Sequence, residues 1–180
     1  MSKVLEQYNL WISKIPSITP YYAVKSNNDE TLLGYLKDLN VKFDAASIDE
    51  ITRVLSVGAN PDSIIFANTR KFKTDLKKAY SLGVKKMTFD SLEELEKMRD
   101  VAPLGDFILR IKTNDEDSIT PLSSKFGAPL DEAKQIIRYA FKNNISIKGI
   151  SFHVGSNAIS SNGWIEAMMD AKLLFDYAKN

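Results

Sequence analysis

The stretch Tyr21-Tyr-Ala-Val-Lys-Ser-Asn-Asn28 is a short apolar run that ends in a single lysine, Lys25, before a polar turn and a helical pattern. The run has the composition of a buried strand, so Lys25 is expected at the carboxyl end of that strand. An amine held there can stay partly neutral, because desolvation disfavours its charged form, and can then attack an aldehyde. Since most lysines are solvated surface cations, the stretch alone leaves a surface role for Lys25 open.

Similar apolar runs recur along the chain, and each is followed by an amphipathic helical pattern. Strands are predicted to begin near residues 21, 42, 63, 84 and 107, and a sixth is predicted at 145–154. Strands that alternate with helices predict parallel pairing through right-handed crossovers. A doubly wound open sheet and a (β/α)8 barrel are both compatible with this order.

Two features favour the barrel. No Gly-x-Gly-x-x-Gly pattern follows the first strand, which argues against a dinucleotide-binding sheet. Polar residues recur at the predicted carboxyl ends of strands, as the active face of a barrel requires, and these are Lys25, Asp44, Asn68, Asp90, Arg110 and His153. About six of the eight βα units of a closed barrel are found. The predicted fold class is therefore α/β, an incomplete (β/α)8 TIM-type barrel, with residues 1–180 forming one partial barrel domain.

Local signals delimit helices and one long loop. Ser47-Ile-Asp-Glu50 and Ser91-Leu-Glu-Glu94 each match a capping box, in which the serine and the glutamate bond each other's backbone N–H groups. Residues 113–128 predict a polar loop whose acidic run, 115–117, is solvated. The last helix is predicted at 164–178 with one apolar stripe, formed by Trp164, Met168, Ala171, Phe175 and Ala178.

The composition is that of a soluble globular protein, with 44% hydrophobic and 26% charged residues and a net charge of +1. This charge gives no electrostatic reason to expect nucleic acid or an anionic membrane as a partner. The absence of cysteine excludes disulfides, thiolate metal sites and cysteine nucleophiles within the chain, and no metal site is predicted. The N-terminus has charges where a signal peptide needs an apolar core, so a cytoplasmic protein is expected.

Six segments that occur in a fixed order resemble one known family. They are Tyr22-Ala-Val-Lys-Ser-Asn27, Phe43-Asp-Ala-Ala-Ser47 with Glu50, Met87-Thr-Phe-Asp-Ser91, Leu109-Arg-Ile111, Lys125-Phe-Gly-Ala128 and Ser151-Phe-His-Val-Gly-Ser156. Together they are similar to the alanine-racemase-fold, pyridoxal-phosphate-dependent basic amino acid decarboxylases, and among these to the ornithine decarboxylases. The resemblance covers the chain from the first helix to Ala178.

The resemblance implies a barrel joined to a β-sandwich domain, a homodimer with shared active sites, and pyridoxal 5′-phosphate as cofactor. By motif match, Lys25 forms the internal aldimine, the imine with the aldehyde of the cofactor. His153, the only histidine in the chain, corresponds to the residue that stacks on the cofactor ring, and Ser156 resembles the phosphate contact.

Four further residues are placed by the same resemblance. Asp44, Glu50 and Arg110 fall near the hydroxyl and imine side of the cofactor, and Lys125 lies in a loop near the partner subunit. The residues alone leave other roles open: an ion pair of Arg110 with Asp44 or Glu50, and helix capping by Glu50. They also allow a neutral, packed imidazole at His153 and an ordinary loop serine at Ser156.

The implied activity is conversion of L-ornithine to putrescine with release of CO2. A relative that acts on lysine, arginine or diaminopimelate, a non-catalytic regulatory paralogue, and a standalone pyridoxal-phosphate-binding barrel are the alternatives. The chain lacks the glycine-rich phosphate loop, the eighth-strand glutamate and the β-sandwich of the family, and Asn157 stands where the family usually has glycine. The sequence therefore predicts a fragment or truncated form with little activity on its own.

Overall fold

The computed structural model describes residues 2–179, which contain eight strands and seven α-helices. The strands are β1 (Tyr21–Ala23), β2 (Lys42–Ala45), β3 (Ile64–Phe66), β4 (Lys86–Phe89), β5 (Asp106–Arg110), β6 (Ser118–Thr120), β7 (Ile147–Ser151) and β8 (Ser156–Ala158). The helices are α1 (Ser2–Lys14), α2 (Glu30–Asp38), α3 (Ile48–Ser56), α4 (Lys73–Ser81), α5 (Leu92–Val101), α6 (Leu130–Lys142) and α7 (Asn162–Lys179).

The main sheet is parallel throughout and its strands follow one another in chain order, β1-β2-β3-β4-β5-β7. In a doubly wound sheet the strand order reverses at a switch point, and the order of this sheet has no such reversal. Consecutive right-handed crossovers then place the helices on one face and curve the sheet as a barrel wall does. The predicted barrel-type α/β fold with six βα units is confirmed.

The two faces of the sheet differ in burial. Phe43, Phe66 and Phe89 alternate with polar or smaller residues along their strands and are at most 1% exposed, beneath the helices. The opposite, concave face carries half-buried side chains, including Asp44 in β2 and Arg110 in β5. Burial of large apolar side chains on the helical face stabilises the wall, which leaves the concave face available for polar residues.

The two predicted capping boxes form only in part. The serines cap their helices as expected: the Glu50 N–H donates to Ser47 Oγ at 3.2 Å, and the Glu94 N–H donates to Ser91 Oγ at 3.3 Å. Neither glutamate bonds back to the serine. Glu50 Oε2 accepts from the N–H of Ala46 at 2.7 Å, and Glu94 faces a buried lysine, Lys71. The prediction of reciprocal caps was wrong because other partners take both carboxylates, the neighbouring Ala46 N–H for Glu50 and the distant Lys71 for Glu94.

The strand predicted at 145–154 is shorter than expected, and the loop predicted at 113–128 contains a short strand. β7 ends at Ser151, and the chain resumes as β8, which pairs antiparallel with β6 inside the predicted loop. The acidic run is not uniformly solvated, since Asp115 is only 4% exposed. That part of the loop prediction was wrong, because backbone N–H groups of the same loop surround this carboxylate.

Helix α7 covers the edge of the sheet from one side. Its buried residues are Ala167 and Leu174, whereas Trp164, Met168 and Phe175 of the predicted stripe are each about half exposed, at 50%, 54% and 47%. The predicted stripe is therefore only partly covered, because β7 is an edge strand and no strand within residues 2–179 lies beyond it. None of the helices in this part of the chain, α7 included, is long and apolar enough to cross a membrane.

Candidate active site at the carboxyl end of the sheet

The candidate residues lie at one end of the sheet because all six strands run in the same direction. Lys25 occupies a short 3-10 turn, Val24–Ser26, directly after β1, and its side chain is exposed. Asp44 lies near the end of β2 and pairs in register with Ala23. Arg110 is the last residue of β5 and pairs in register with Ser151 of β7, two residues before His153.

Asp44 is at the electrostatic centre of this group. Its burial raises the pKa of its carboxyl group above the ordinary value, and the Glu50 carboxylate acts in the same direction. The positive charges of Lys25 and Arg110 offset part of that rise. Since charges shift one another's pKa at short range, the structure brings three other predicted site residues, Lys25, Glu50 and Arg110, close to Asp44.

Arg110 is held by a ring rather than by an ion pair. Its guanidinium lies 4.9 Å from the centre of the Phe126 ring, a cation–π geometry. Burial lowers its pKa, and the Asp90 and Asp44 carboxylates act against that. Within residues 2–179 it forms no salt bridge with Asp44 or Glu50, so the ion-pair interpretation of Arg110 is not supported. Arg110 remains a half-buried cation on the concave face.

Asp90 is a member of this group that the motifs did not single out as a site residue. Its Oδ2 accepts a hydrogen bond of 2.9 Å from the N–H of Gly127, and its charge acts on Arg110. This bond fixes the loop that presents the Phe126 ring. The sequence signals for Asp90 were its place at the end of a strand and its position in the segment Met87–Ser91.

His153 is oriented by its own turn. The Gly155 N–H donates to Nδ1 at 3.0 Å, so the proton of the neutral ring is on Nε2. Partial burial lowers the pKa of His153, and the positive charges of Arg110 and then Lys25 lower it further. Asp115 acts in the opposite direction. The imidazole is therefore neutral at pH 7, with a donor available on its outer nitrogen.

We expect nuclear magnetic resonance titration of His153 to give a pKa below the ordinary value of about 6.5. The signal is unambiguous because the chain has one histidine. Since the unfolded chain then binds the proton more readily, His153 makes folding less favourable as pH falls from about 6.5 through the folded pKa. The same protein in urea is the control and should titrate near 6.5. A folded value at or above that of the control would contradict this account.

Ser156 and Asn157 open β8 in an exposed turn. Gly155 and Asn157 both have positive φ, +82° and +55°, a conformation that glycine adopts freely and asparagine tolerates. The asparagine therefore fits at a position where the resemblance predicts glycine. Ser156 pairs in register with Thr120 of β6, and it is exposed three residues after His153.

Lys125 lies at the border of this group, since Asp90 and Phe126 line the same cavity. It lines a cavity of about 450 Å³ together with residues after β3 and β4, and its charge does not contribute to the pKa shifts of Asp44, Arg110 or His153. Its predicted place at an interface remains a prediction.

A buried ion pair beneath this end of the sheet was not foreseen. Lys71 Nζ lies 3.0 Å from Glu94 Oε1 and 2.7 Å from the carbonyl oxygen of Thr88, and its side chain is fully buried. Burial lowers the pKa of Lys71, and Glu94 opposes that change. Lys97 Nζ binds the other carboxylate oxygen at 2.5 Å. No local pattern marks Lys71, which follows an arginine in a polar segment typical of the surface.

The sequence of the whole chain matches a known family. Residues 1–180 match the family model described as "Pyridoxal-dependent decarboxylase, pyridoxal binding domain". The chain belongs to this family. Across residues 2–179, no three His, Asp or Glu side chains are grouped closely enough to hold a metal ion, and the family cofactor is organic.

Three relatives illustrate the similarity. A probable ornithine decarboxylase of Dictyostelium discoideum is 39% identical over 98% of this chain and 38% of its own length. Ornithine decarboxylase of Saccharomyces cerevisiae is 38% identical over 100% of this chain and 39% of its own. The crystal structure of the Paramecium bursaria Chlorella virus arginine decarboxylase superposes with a TM-score of 0.94 at 41% identity, covering 98% of this chain and 48% of that one. The chain thus spans less than half the length of these decarboxylases.

The residues at the carboxyl end of the sheet fit the family cofactor. An exposed amine at Lys25 suits its aldehyde, and the planar ring of His153 suits its pyridine ring. The hydroxyl of Ser156, in a turn with two positive-φ residues, suits a phosphate group. Ser151 Oγ is buried without a hydrogen-bond partner among residues 2–179, so this face also has a polar atom that protein groups leave unused.

Proposed function

We propose that this chain is the cofactor-binding part of a decarboxylase that converts L-ornithine to putrescine and CO2. One observation supports this most strongly. In a chain of the pyridoxal-dependent decarboxylase family, an exposed lysine amine stands at the carboxyl end of the first strand, within electrostatic range of Asp44 and of His153.

Lys25 would bind the aldehyde of pyridoxal phosphate covalently through its amine. When bound, the cofactor supplies a ring that accepts the electrons left behind as CO2 departs. Asp44 and Glu50 would hold the side chain of Lys25 in place through their negative charge. The positive charge of Arg110, at the end of β5, lowers the pKa of Asp44 and so favours its ionised carboxylate.

His153 would orient the cofactor ring. Its neutral imidazole presents a flat face whose angle is fixed by the bond from the Gly155 N–H, so a ring stacked on it keeps one orientation. Ser156 would donate a hydrogen bond from its hydroxyl group to a phosphate oxygen. Both residues leave the chemistry of the reacting bond to the cofactor, and their contribution is alignment.

Ornithine is the substrate that the curated relatives favour, since both relatives described above are named for it. Arginine is the second candidate because a solved arginine decarboxylase is 41% identical to this chain. A regulatory paralogue without activity is less well supported, because Lys25 and His153 are both retained.

Release of CO2 from carboxyl-labelled amino acids tests the substrate. With pyridoxal phosphate present, the protein expressed from its gene is expected to release CO2 from L-ornithine at least about tenfold faster, per unit of enzyme and substrate, than from L-lysine or L-arginine. A preference for arginine or lysine would overturn the choice of ornithine. Cofactor retained at Lys25 with no CO2 release from any of the three would instead support the regulatory paralogue.

We further propose that the protein works as a homodimer in the cytoplasm on a small amino acid. The dimer is supported by the resemblance of the Lys125 loop to one that lies near the partner subunit in the family. The compartment is supported by a sequence without cysteine, which has no use for an oxidising environment.

A further inference from the structure

We propose that Asp115 is a positioning residue for the segment His153–Ser156, which it holds in place for the cofactor through the loop that it closes. This inference rests on the proposed function, because the segment matters only if it receives pyridoxal phosphate. Asp115 was expected to be a solvated loop acid, and its place in the fold is different.

The carboxylate of Asp115 closes its own loop. It is 4% exposed and accepts hydrogen bonds from the N–H of Leu122, from the N–H of Ser123 at 2.7 Å and from Ser123 Oγ at 2.6 Å. These donors lie seven and eight residues further along the chain. One side chain therefore ties both ends of the segment 115–123 together.

The closed loop is joined to the candidate site at His153 and at β8, which follows it. Before the loop, Thr113 Oγ1 donates to the carbonyl oxygen of His153 at 3.0 Å. Within it, β6 pairs with β8, which begins at Ser156. Since β6 lies between Asp115 and its donors, closure of the loop fixes the strand against which Ser156 is aligned.

Ser118 makes the closest approach between the two segments. Its N–H and its hydroxyl both donate to the carbonyl oxygen of Asp115, at 3.0 and 2.8 Å. A Cβ added to Gly155 would lie 2.1 Å from Ser118 Oγ, so the turn after His153 rests directly on this serine. Any shift of the loop is transmitted to the turn that donates to the imidazole.

Asp115 acts through these contacts and not on the reacting atoms, because protein donors already occupy its oxygens. Burial alone would raise its pKa, but the hydrogen bonds from Ser123 and Leu122 outweigh burial and lower it. The carboxylate is therefore ionised at neutral pH. The order that it confers is present above about pH 3.8 and is lost as pH falls through the lower folded pKa.

The test compares Asp115→Asn and Asp115→Ala with Glu116→Gln, which removes one negative charge from the adjacent, exposed position. Amide hydrogen exchange and the dissociation constant of pyridoxal phosphate are measured for each purified protein. In Asp115→Asn we expect exchange within 113–123 and 153–158 to accelerate about tenfold, and cofactor binding to weaken about tenfold. Asp115→Ala should give larger changes in the same amides, and Glu116→Gln should match the wild type.

Exchange in the sheet distinguishes positioning from general support of the fold. Amides of β2, β3 and β4 should exchange as in the wild type, since Asp115 has no contact with them. Uniform acceleration across the sheet, or an Asp115→Asn protein indistinguishable from Glu116→Gln, would overturn the proposal. If Asp115→Ala does not fold, Asp115→Asn decides. If wild-type protein takes up no cofactor at Lys25, the proposed function fails, while the exchange data still report whether Asp115 orders the segment.

Discussion

Replacing Lys25 with alanine is expected to abolish covalent retention of pyridoxal phosphate and to weaken its equilibrium binding by at least about a hundredfold. The large effect follows from the position of the amine. Lys25 is exposed at the carboxyl end of β1, whereas Lys71 is fully buried and Lys125 lines a cavity that Lys25 does not line. Neither lysine can substitute, so only noncovalent contacts to the ring and phosphate would remain.

Lys14→Ala is the matched control for this experiment. Lys14 is also exposed and ends α1, on the side of the sheet where β1 begins. The Lys14→Ala protein should retain cofactor as the wild type does, both in absorbance titration and after gel filtration. A Lys25→Ala protein that held cofactor as tightly as Lys14→Ala would remove Lys25 from the proposed chemistry.

Replacing Glu94 with alanine is expected to lower the free energy of unfolding by about 3–5 kcal/mol, because it leaves a buried charge without its partner. Lys71 Nζ would retain only the carbonyl oxygens of Thr88 and Asn68, since its carboxylate partner, 3.0 Å away, is removed. The backbone N–H of Lys71, which donates to Glu94 Oε1 at 3.2 Å, would lose its acceptor as well. Urea unfolding measures the change directly.

Glu93→Ala is the control for Glu94→Ala, since Glu93 is the exposed residue next to it in the same helix turn. Its effect should be within about 0.5 kcal/mol of zero, as for most surface substitutions. Combining Glu94→Leu with Lys71→Met should recover much of the lost stability, because no buried charge is then left unpaired. A loss in Glu94→Ala no larger than that in Glu93→Ala would show that the buried pair contributes little.

The barrel wall could be predicted because its signals are local. An apolar run followed by a polar residue and then an amphipathic helix marks each βα unit, and a capping serine adds to this signal before α3 and α5. Lys25, Asp44 and Arg110 fall at strand ends for that reason. Because the strands pair in parallel, their carboxyl ends lie at the same edge of the sheet. The grouping of these residues around Asp44 follows from the strand order alone.

The remaining features depend on contacts between distant parts of the chain. Lys71 and Glu94 are 23 residues apart, and each resembles an ordinary surface residue in its own segment. Asp115 was expected in water because its neighbours are polar, yet its partners come from a later part of the same loop. The apolar stripe on α7 was predicted from its spacing, but the extent of its burial depends on which elements lie beside the helix. Within residues 2–179, β7 is the edge strand of the main sheet. Part of the stripe therefore has no further strand to pack against.

The most direct test of the account is to locate the cofactor bond. Protein mixed with one equivalent of pyridoxal phosphate is reduced with borohydride and digested, and the labelled peptides are mapped by mass spectrometry. The account predicts that the label is found predominantly on Lys25. Labelling spread over many lysines, with none preferred at Lys25, would contradict it.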